Sequence, residues 1–140
     1  MDRVKELLVT TIEDGRGELS VFESMKSVPF DIKRVYYIKG MQAGISRGFH
    51  AHRKLSQMLI CIQGSCRILT DDGFTKKEVI LSSSFKGLLI KNMVWREMHD
   101  FSQDCILMVL ASELYDSEDY ICDYDDFLNE VSPGFLTTSL

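Results

Sequence analysis

Arg47-Gly48-Phe49-His50-Ala51-His52-Arg53, followed after Lys54-Leu55-Ser56 by the run Gln57-Met58-Leu59-Ile60-Cys61-Ile62-Gln63-Gly64, is the stretch on which the reading of this chain turns. Residues at i and i+2 of a β-strand project to the same face, so a strand over Arg47–His52 sends both imidazoles to one side of a sheet. Outward from this stretch, the chain repeats short apolar or alternating runs broken by turn residues. Strands are expected at 7–12, 18–23, 33–38, 47–52, 57–63, 65–71, 76–81, 87–90, 94–98 and 104–111. Asp14-Gly15-Arg16-Gly17, Gln63-Gly64-Ser65 and Asp71-Asp72-Gly73 supply the positive φ that tight hairpins demand, which favours antiparallel pairing over βαβ units. A single helix is expected, over Tyr124–Val131, where Tyr124, Phe127, Leu128 and Val131 share one face before Pro133-Gly134 stops it.

With 140 residues the chain has the length of one domain, expected over 1–132, with a frayed tail over 133–140. The 45% hydrophobic and 26% charged residues are those of a self-folding globular protein. A net charge of -5 argues against nucleic acid as partner, although a local group of arginines can still hold a small anion. The N-terminal stretch Met1-Asp2-Arg3-Val4-Lys5-Glu6-Leu7-Leu8 has no long apolar core, and no run has the roughly 18 apolar residues of a membrane span, so a cytoplasmic location without membrane association is expected. Cys61, Cys66, Cys105 and Cys122 form no CxxC pair and read as buried, reduced thiols.

The histidine pair gains meaning from its surroundings. Gly44, five residues, His50-x-His52, four residues, Gln57, six residues, Gly64 has the spacing of the first cupin motif, and Gly87 to Arg96 resembles the second. The fold class expected is therefore all-β, a cupin-type β-barrel or jelly roll with a short C-terminal helix. Metal-binding cupins place a Glu where this chain has Gln57 and a His where it has Arg96. A guanidinium has no lone pair to offer and an amide oxygen is a weak neutral donor, so two imidazoles remain where zinc, iron or copper wants at least three good ligands. No metal and no other cofactor are expected. Imidazoles without a metal titrate near neutrality and suit proton transfer.

Together with Asp14-Gly15-Arg16-Gly17, Ile32-Lys33-Arg34-Val35-Tyr36-Tyr37-Ile38, Val94-Trp95-Arg96-Glu97-Met98, Met108-Val109-Leu110-Ala111-Ser112 and Asp119-Tyr120-Ile121, the histidine stretch resembles the TDP-4-keto-6-deoxyglucose 3,4-ketoisomerases of bacterial deoxysugar and surface-glycan pathways. The resemblance runs over nearly the whole chain. It implies conversion of a 4-keto to a 3-keto sugar through an enediol, without cofactor, in a homodimer whose barrels exchange strands. It also implies that His50 deprotonates carbon 3 and that His52 exchanges a proton between the two oxygens, with the order open to reversal.

A ketone acidifies the neighbouring C–H, and the enediolate left behind needs positive charge or donors around it. Tyr36 shares an inward face with Arg34 and is expected to donate to that oxyanion, whereas Tyr37 points away and packs. Arg47 and Arg16 are the first candidates to grip the diphosphate by charge-assisted hydrogen bonds, with Arg34, Arg96 and Gln57 completing the substrate-binding set. Trp95 and Phe49 are expected in the core, Arg53 and Lys54 in solvent, and His99 in a structural role. Arg16 resembles the branch of the family that gives a galacto product and Arg96 the branch that gives a gluco product, so the stereochemistry stays open. Competing readings are a nucleotide-sugar epimerase of the same barrel type, a non-catalytic sugar-nucleotide binding module, and a metal-dependent cupin oxygenase that Gln57 and Arg96 disfavour.

Overall fold

Strand β6 (Gln57–Gln63) is buried over its first five residues because both of its faces are covered. Leu59 and Cys61 point into the space between two sheets, while Met58 and Ile60 pack outward against Val9, Val28, Phe22, Phe30 and Ile32. The computed structural model describes residues 2–132, so the expected tail over 133–140 and the stop at Pro133-Gly134 lie outside the described residues.

Two five-stranded antiparallel sheets face one another. The first has the order β1 (Val4–Leu8), β9 (Lys86–Ile90), β6, β11 (Ile106–Ala111), β4 (Arg34–Ile38). The second has the order β12 (Tyr120–Ile121), β5 (Arg47–His52), β10 (Trp95–His99), β7 (Cys66–Asp71), β8 (Lys76–Leu81). This is a cupin-type jelly roll, and its sheets do not close into one continuous hydrogen-bonded barrel. Leu59, Ile68, Leu88, Ile90, Val94, Leu107 and Val109, each almost fully buried, fill the middle. Helix α1 (Tyr124–Val131) is capped by the Asp123 carboxylate on the Asp126 amide and lays Phe127 against Trp95 and Ala51 on the outer face of the second sheet. Burying a phenyl ring fully contributes about 1.5–3 kcal/mol.

The strand expected over 7–12 is two strands. At Val9 the backbone N–H turns to the Phe85 carbonyl, and the chain then leaves the sheet as β2 (Thr10–Asp14), which pairs only with β3 (Gly17–Val21). That hairpin extends from the body with Ile12 and Leu19, cross-strand partners, each more than half exposed. The strands over 47–52, 57–63 and 76–81 and the helix over Tyr124–Val131 fall where the pattern predicts them.

Candidate active site

The sheets splay where strand β4 edges the first and β5 with β12 edge the second. Between them opens a cleft of about 1000 Å³ lined by Arg34, Tyr36, Arg47, His50, Tyr115 and Tyr120, among others. Strand β5 reaches this cleft through a bulge. Arg96 pairs with His50 and Glu97 with Gly48, leaving Phe49 between them without a partner. Phe49 adopts φ 59° and Gly48 φ 91°, and a Cβ on Gly48 would stand 3.0 Å from the Arg96 carbonyl oxygen. A bulge of this kind re-aims the side chain that follows it, here His50.

The pair expected on one face is there. The His50 and His52 rings are 4.8 Å apart and nearly perpendicular, and Tyr120 lies 5.0 Å and 4.4 Å from them. His50 lines the cleft, whereas His52 is fully buried behind it. Burial first, and the Arg96 guanidinium second, bring His50 down to about 4. Burial, Arg96, His50 and Arg34 in that order bring His52 down to about 2. Both imidazoles are therefore neutral at pH 7, the form in which a ring nitrogen can accept a proton. His52 Nδ1 lies 3.4 Å from the Asp119 carboxylate, which is itself held by the amides of Lys54 and Leu55.

Behind the histidines runs a polar chain whose donor directions follow from chemistry. Arg96, 1% exposed, can only donate, so Nη1 at 2.5 Å fixes the Gln57 amide oxygen toward it, and Nη2 donates to the Val94 carbonyl. The Gln57 NH₂ must then face Tyr36, whose oxygen accepts it at 3.1 Å. The phenol proton of Tyr36 is thereby left free to point elsewhere, and burial raises its pKa, keeping it a donor. Arg96 is itself brought down to about 10 by burial and remains a cation at neutral pH. Gln57 is already engaged and Arg96 carries positive charge, so this donor set suits a cation poorly.

Arg34 sits between the Tyr36 and Tyr115 rings, 5.2 and 5.7 Å from their centroids, and Arg47 and Lys39 line the same cleft. Among the described residues, no aspartate or glutamate lines it. A cationic recess on a chain of net charge -5 is a place for an anion. Arg16 is not brought to the cleft of its own chain. It sits at the tip of the β2–β3 hairpin with its side chain 91% exposed, paired with Asp14 at 2.7 Å.

The sequence reading places no role on Tyr115, Tyr120, Asp119 or Lys39. Asp119-Tyr120-Ile121 was visible as a matching stretch, but a two-residue strand carries no periodicity that would aim Tyr120 at the histidines. Phe49, expected in the core, is instead 42% exposed and packs edge-on against His99, because the bulge turns it outward. Trp95 is buried as expected, and its indole N–H donates to Glu97. Tyr37 points away from Tyr36 as expected but is 63% exposed, since β4 is an edge strand with its outer face bare. Arg53 packs less freely than expected, donating to Glu130 and to the carbonyls of Glu118 and Tyr120. Cys122, expected buried with the other thiols, is exposed.

Among known families, FdtA (WxcM-like, C-terminal) matches residues 3–132. The TDP-4-oxo-6-deoxy-alpha-D-glucose-3,4-oxoisomerase of Aneurinibacillus thermoaerophilus is 53% identical over 116 residues, 83% of this chain and 84% of that protein. The crystal structure of QdtA, a sugar 3,4-ketoisomerase from Thermoanaerobacterium thermosaccharolyticum in complex with TDP, is similar at TM-score 0.91 and 44% identity, covering 95% of this chain and 97% of that one. The WlaRB TDP-quinovose 3,4-ketoisomerase of Campylobacter jejuni gives TM-score 0.89 at 44% identity, covering 92% and 99%.

Proposed function

The chain belongs to the FdtA family of WxcM-like C-terminal domains, and from that premise we propose that it is a sugar-nucleotide 3,4-ketoisomerase, converting TDP-4-keto-6-deoxyglucose to a TDP-3-keto-6-deoxyhexose. The observation that carries this reading is a neutral imidazole pair at the wall of a cleft lined by cations and no carboxylate. In the reaction His50 removes the carbon 3 proton, since of the two rings it is the one that lines the cleft, and once the oxygens have exchanged theirs a proton is returned to carbon 4, leaving the ketone at carbon 3. The enediolate is stabilised by the Tyr36 hydroxyl and by the positive potential of Arg96 behind it. His52, packed against the His50 and Tyr120 rings with its Nδ1 3.4 Å from the Asp119 carboxylate, exchanges the proton between the oxygens. Arg47 and Arg34, joined by Lys39, hold the diphosphate.

Incubation with TDP-4-keto-6-deoxyglucose in deuterated water, followed by NMR, tests the reaction. The carbonyl is expected to move to carbon 3, with solvent hydrogen incorporated at the carbons that exchange it, and the same spectrum gives the carbon 4 configuration of the product. Exchange at carbon 5 with the carbonyl left in place would instead identify an epimerase. Binding without turnover would identify a non-catalytic module.

A homodimer with exchanged β2–β3 hairpins belongs to the same proposal. It is supported by a hairpin that pairs with no other strand among the described residues and bares Ile12 and Leu19. In that arrangement Arg16 serves the partner's cleft. Light scattering is expected to give twice the chain mass, and Ile12→Glu with Leu19→Glu is expected to give the single-chain mass; a wild-type monomer at micromolar concentration would remove the dimer from the proposal.

A further inference from the structure

Around Cys61, on the central strand that also carries Gln57, three thiols meet that the isomerase reaction does not use. Cys61 lies on β6, Cys66 opens β7, and Cys105 precedes β11. Each is at most 2% exposed, and their sulfurs all lie within 4.8 Å of one another, with Cys61 and Cys105 3.7 Å apart. Four residues along a strand separate Cys61 from Gln57, roughly 13 Å. Zinc–thiolate bonds of about 2.3 Å in tetrahedral geometry place sulfurs about 3.8 Å apart, so little movement is needed to close three of them on one ion.

The two segments that bring these thiols together are tied to each other. The β6–β7 turn and the loop before β11 exchange bonds between the Ser65 amide and Ser102 Oγ (2.9 Å), the Ser102 amide and the Ser65 carbonyl (2.9 Å), and Gln63 Nε2 and the Asp104 carbonyl (3.0 Å). At Gly64, φ 75°, a Cβ would stand 2.2 Å from Ser102 Oγ and 2.9 Å from the Cys105 Cα, so this turn has room for glycine alone. Holding Cys105 against the hairpin in this way leaves little ordering to be done when a ligand arrives.

We propose that Cys61, Cys66 and Cys105 form a binding site for one thiophilic divalent cation of the zinc class, with the Gln63 carbonyl, 3.2 Å from the Cys61 sulfur, available as a fourth donor. Metal–sulfur bonds replace S–H bonds, and the displaced protons leave to solvent. Soft thiolate donors select such ions over magnesium or calcium. The site is structural: it clips β6, β7 and the lead into β11 at a point remote from the sugar.

The reduced, chelator-treated full chain titrated with Cd(II) is expected to develop a thiolate-to-cadmium charge-transfer band that saturates at one equivalent, with proton release and a raised thermal midpoint. Zn(II) is expected to compete the band away. Cys61→Ser, Cys66→Ser and Cys105→Ser should each lose the saturable band, and Cys122→Ser, at an exposed thiol, should keep it. Absence of the band from the wild type, or its loss in Cys122→Ser, overturns the site. Because Cys122→Ser leaves the core untouched, that titration decides the matter even if the core variants fail to fold.

Discussion

His50→Asn is expected to reduce kcat for isomerisation by about 10²- to 10⁴-fold, the range for removing a positioned general acid–base group, while TDP binding stays within a few-fold of wild type. The ring it removes lines the cleft directly and is neutral at pH 7, so its loss takes away a base and no charge. The cations that line the cleft, Arg47, Arg34 and Lys39, are untouched by the substitution and remain. Solvent deuterium should cease to enter carbon 4 of the product and carbon 3 of the recovered substrate. Calorimetric titration with TDP beside an NMR progress curve separates the two effects. Turnover within tenfold of wild type would reassign the carbon base, with His52 the next to examine. A matched loss of binding and turnover would indicate a damaged fold.

The second large effect is expected from Arg96→Met. This guanidinium is nearly fully buried, orients the amide of Gln57 and through it the oxygen of Tyr36, and ranks second only to burial among the causes that lower both histidines. Loss of an electrostatic stabiliser of a developing oxyanion costs about 10²- to 10³-fold in kcat. Arg96→Met also leaves the buried Gln57 amide oxygen and the Val94 carbonyl without their donor, at about 1–3 kcal/mol for each unsatisfied group, so the unfolding midpoint at neutral pH should fall.

The pH profile gives the discriminating readout. In the wild type His50 sits near 4 rather than the ordinary 6.5, so the acid limb of kcat/KM should lie near pH 4. Without Arg96 that limb should move up toward 6.5. Linkage has the same sign. The unfolded chain binds protons below pH 6.5 that the folded site refuses, so stability is full above 6.5 and falls as the pH drops toward the folded values. In Arg96→Met this loss should be smaller, because the folded pKa has risen. Parallel pH–rate and pH–melting curves of the two proteins test both statements, and an acid limb that does not move would show that Arg96 does not set the histidine pKa.

How much of this was legible in the sequence varies from residue to residue. His50 and His52 were placed by the period of a strand alone, and Gln57 and Arg96 by motif spacing. All four are local statements about where a side chain sits along one strand. Asp119 and Tyr120 reach the site because a two-residue strand pairs with β5, Tyr120 opposite His52 and Ile121 opposite Ala51, and that pairing has no local signature. The outward turn of Phe49 has no local signature either, because a bulge needs two strands to exist and this one depends on Arg96 and Glu97 across the ladder. The break at Val9 was missed for the same reason, since the expected strand over 7–12 is interrupted by a hydrogen bond to Phe85, far along the chain.

By itself, then, the sequence determined the alternation that makes the strands, the glycine-bearing turns that fold them back, the apolar face of the C-terminal helix, and two imidazoles on one face of a strand. Tertiary structure alone decided which face of Gln57 meets Arg96, how deep His52 lies, that Arg16 stands away from its own cleft, and that Cys105, far along the chain, meets Cys61 and Cys66. The division has a physical cause: backbone period and turn chemistry act over a few residues, whereas burial, hydrogen-bond direction and proton affinity depend on groups that come together only when the sheets pack.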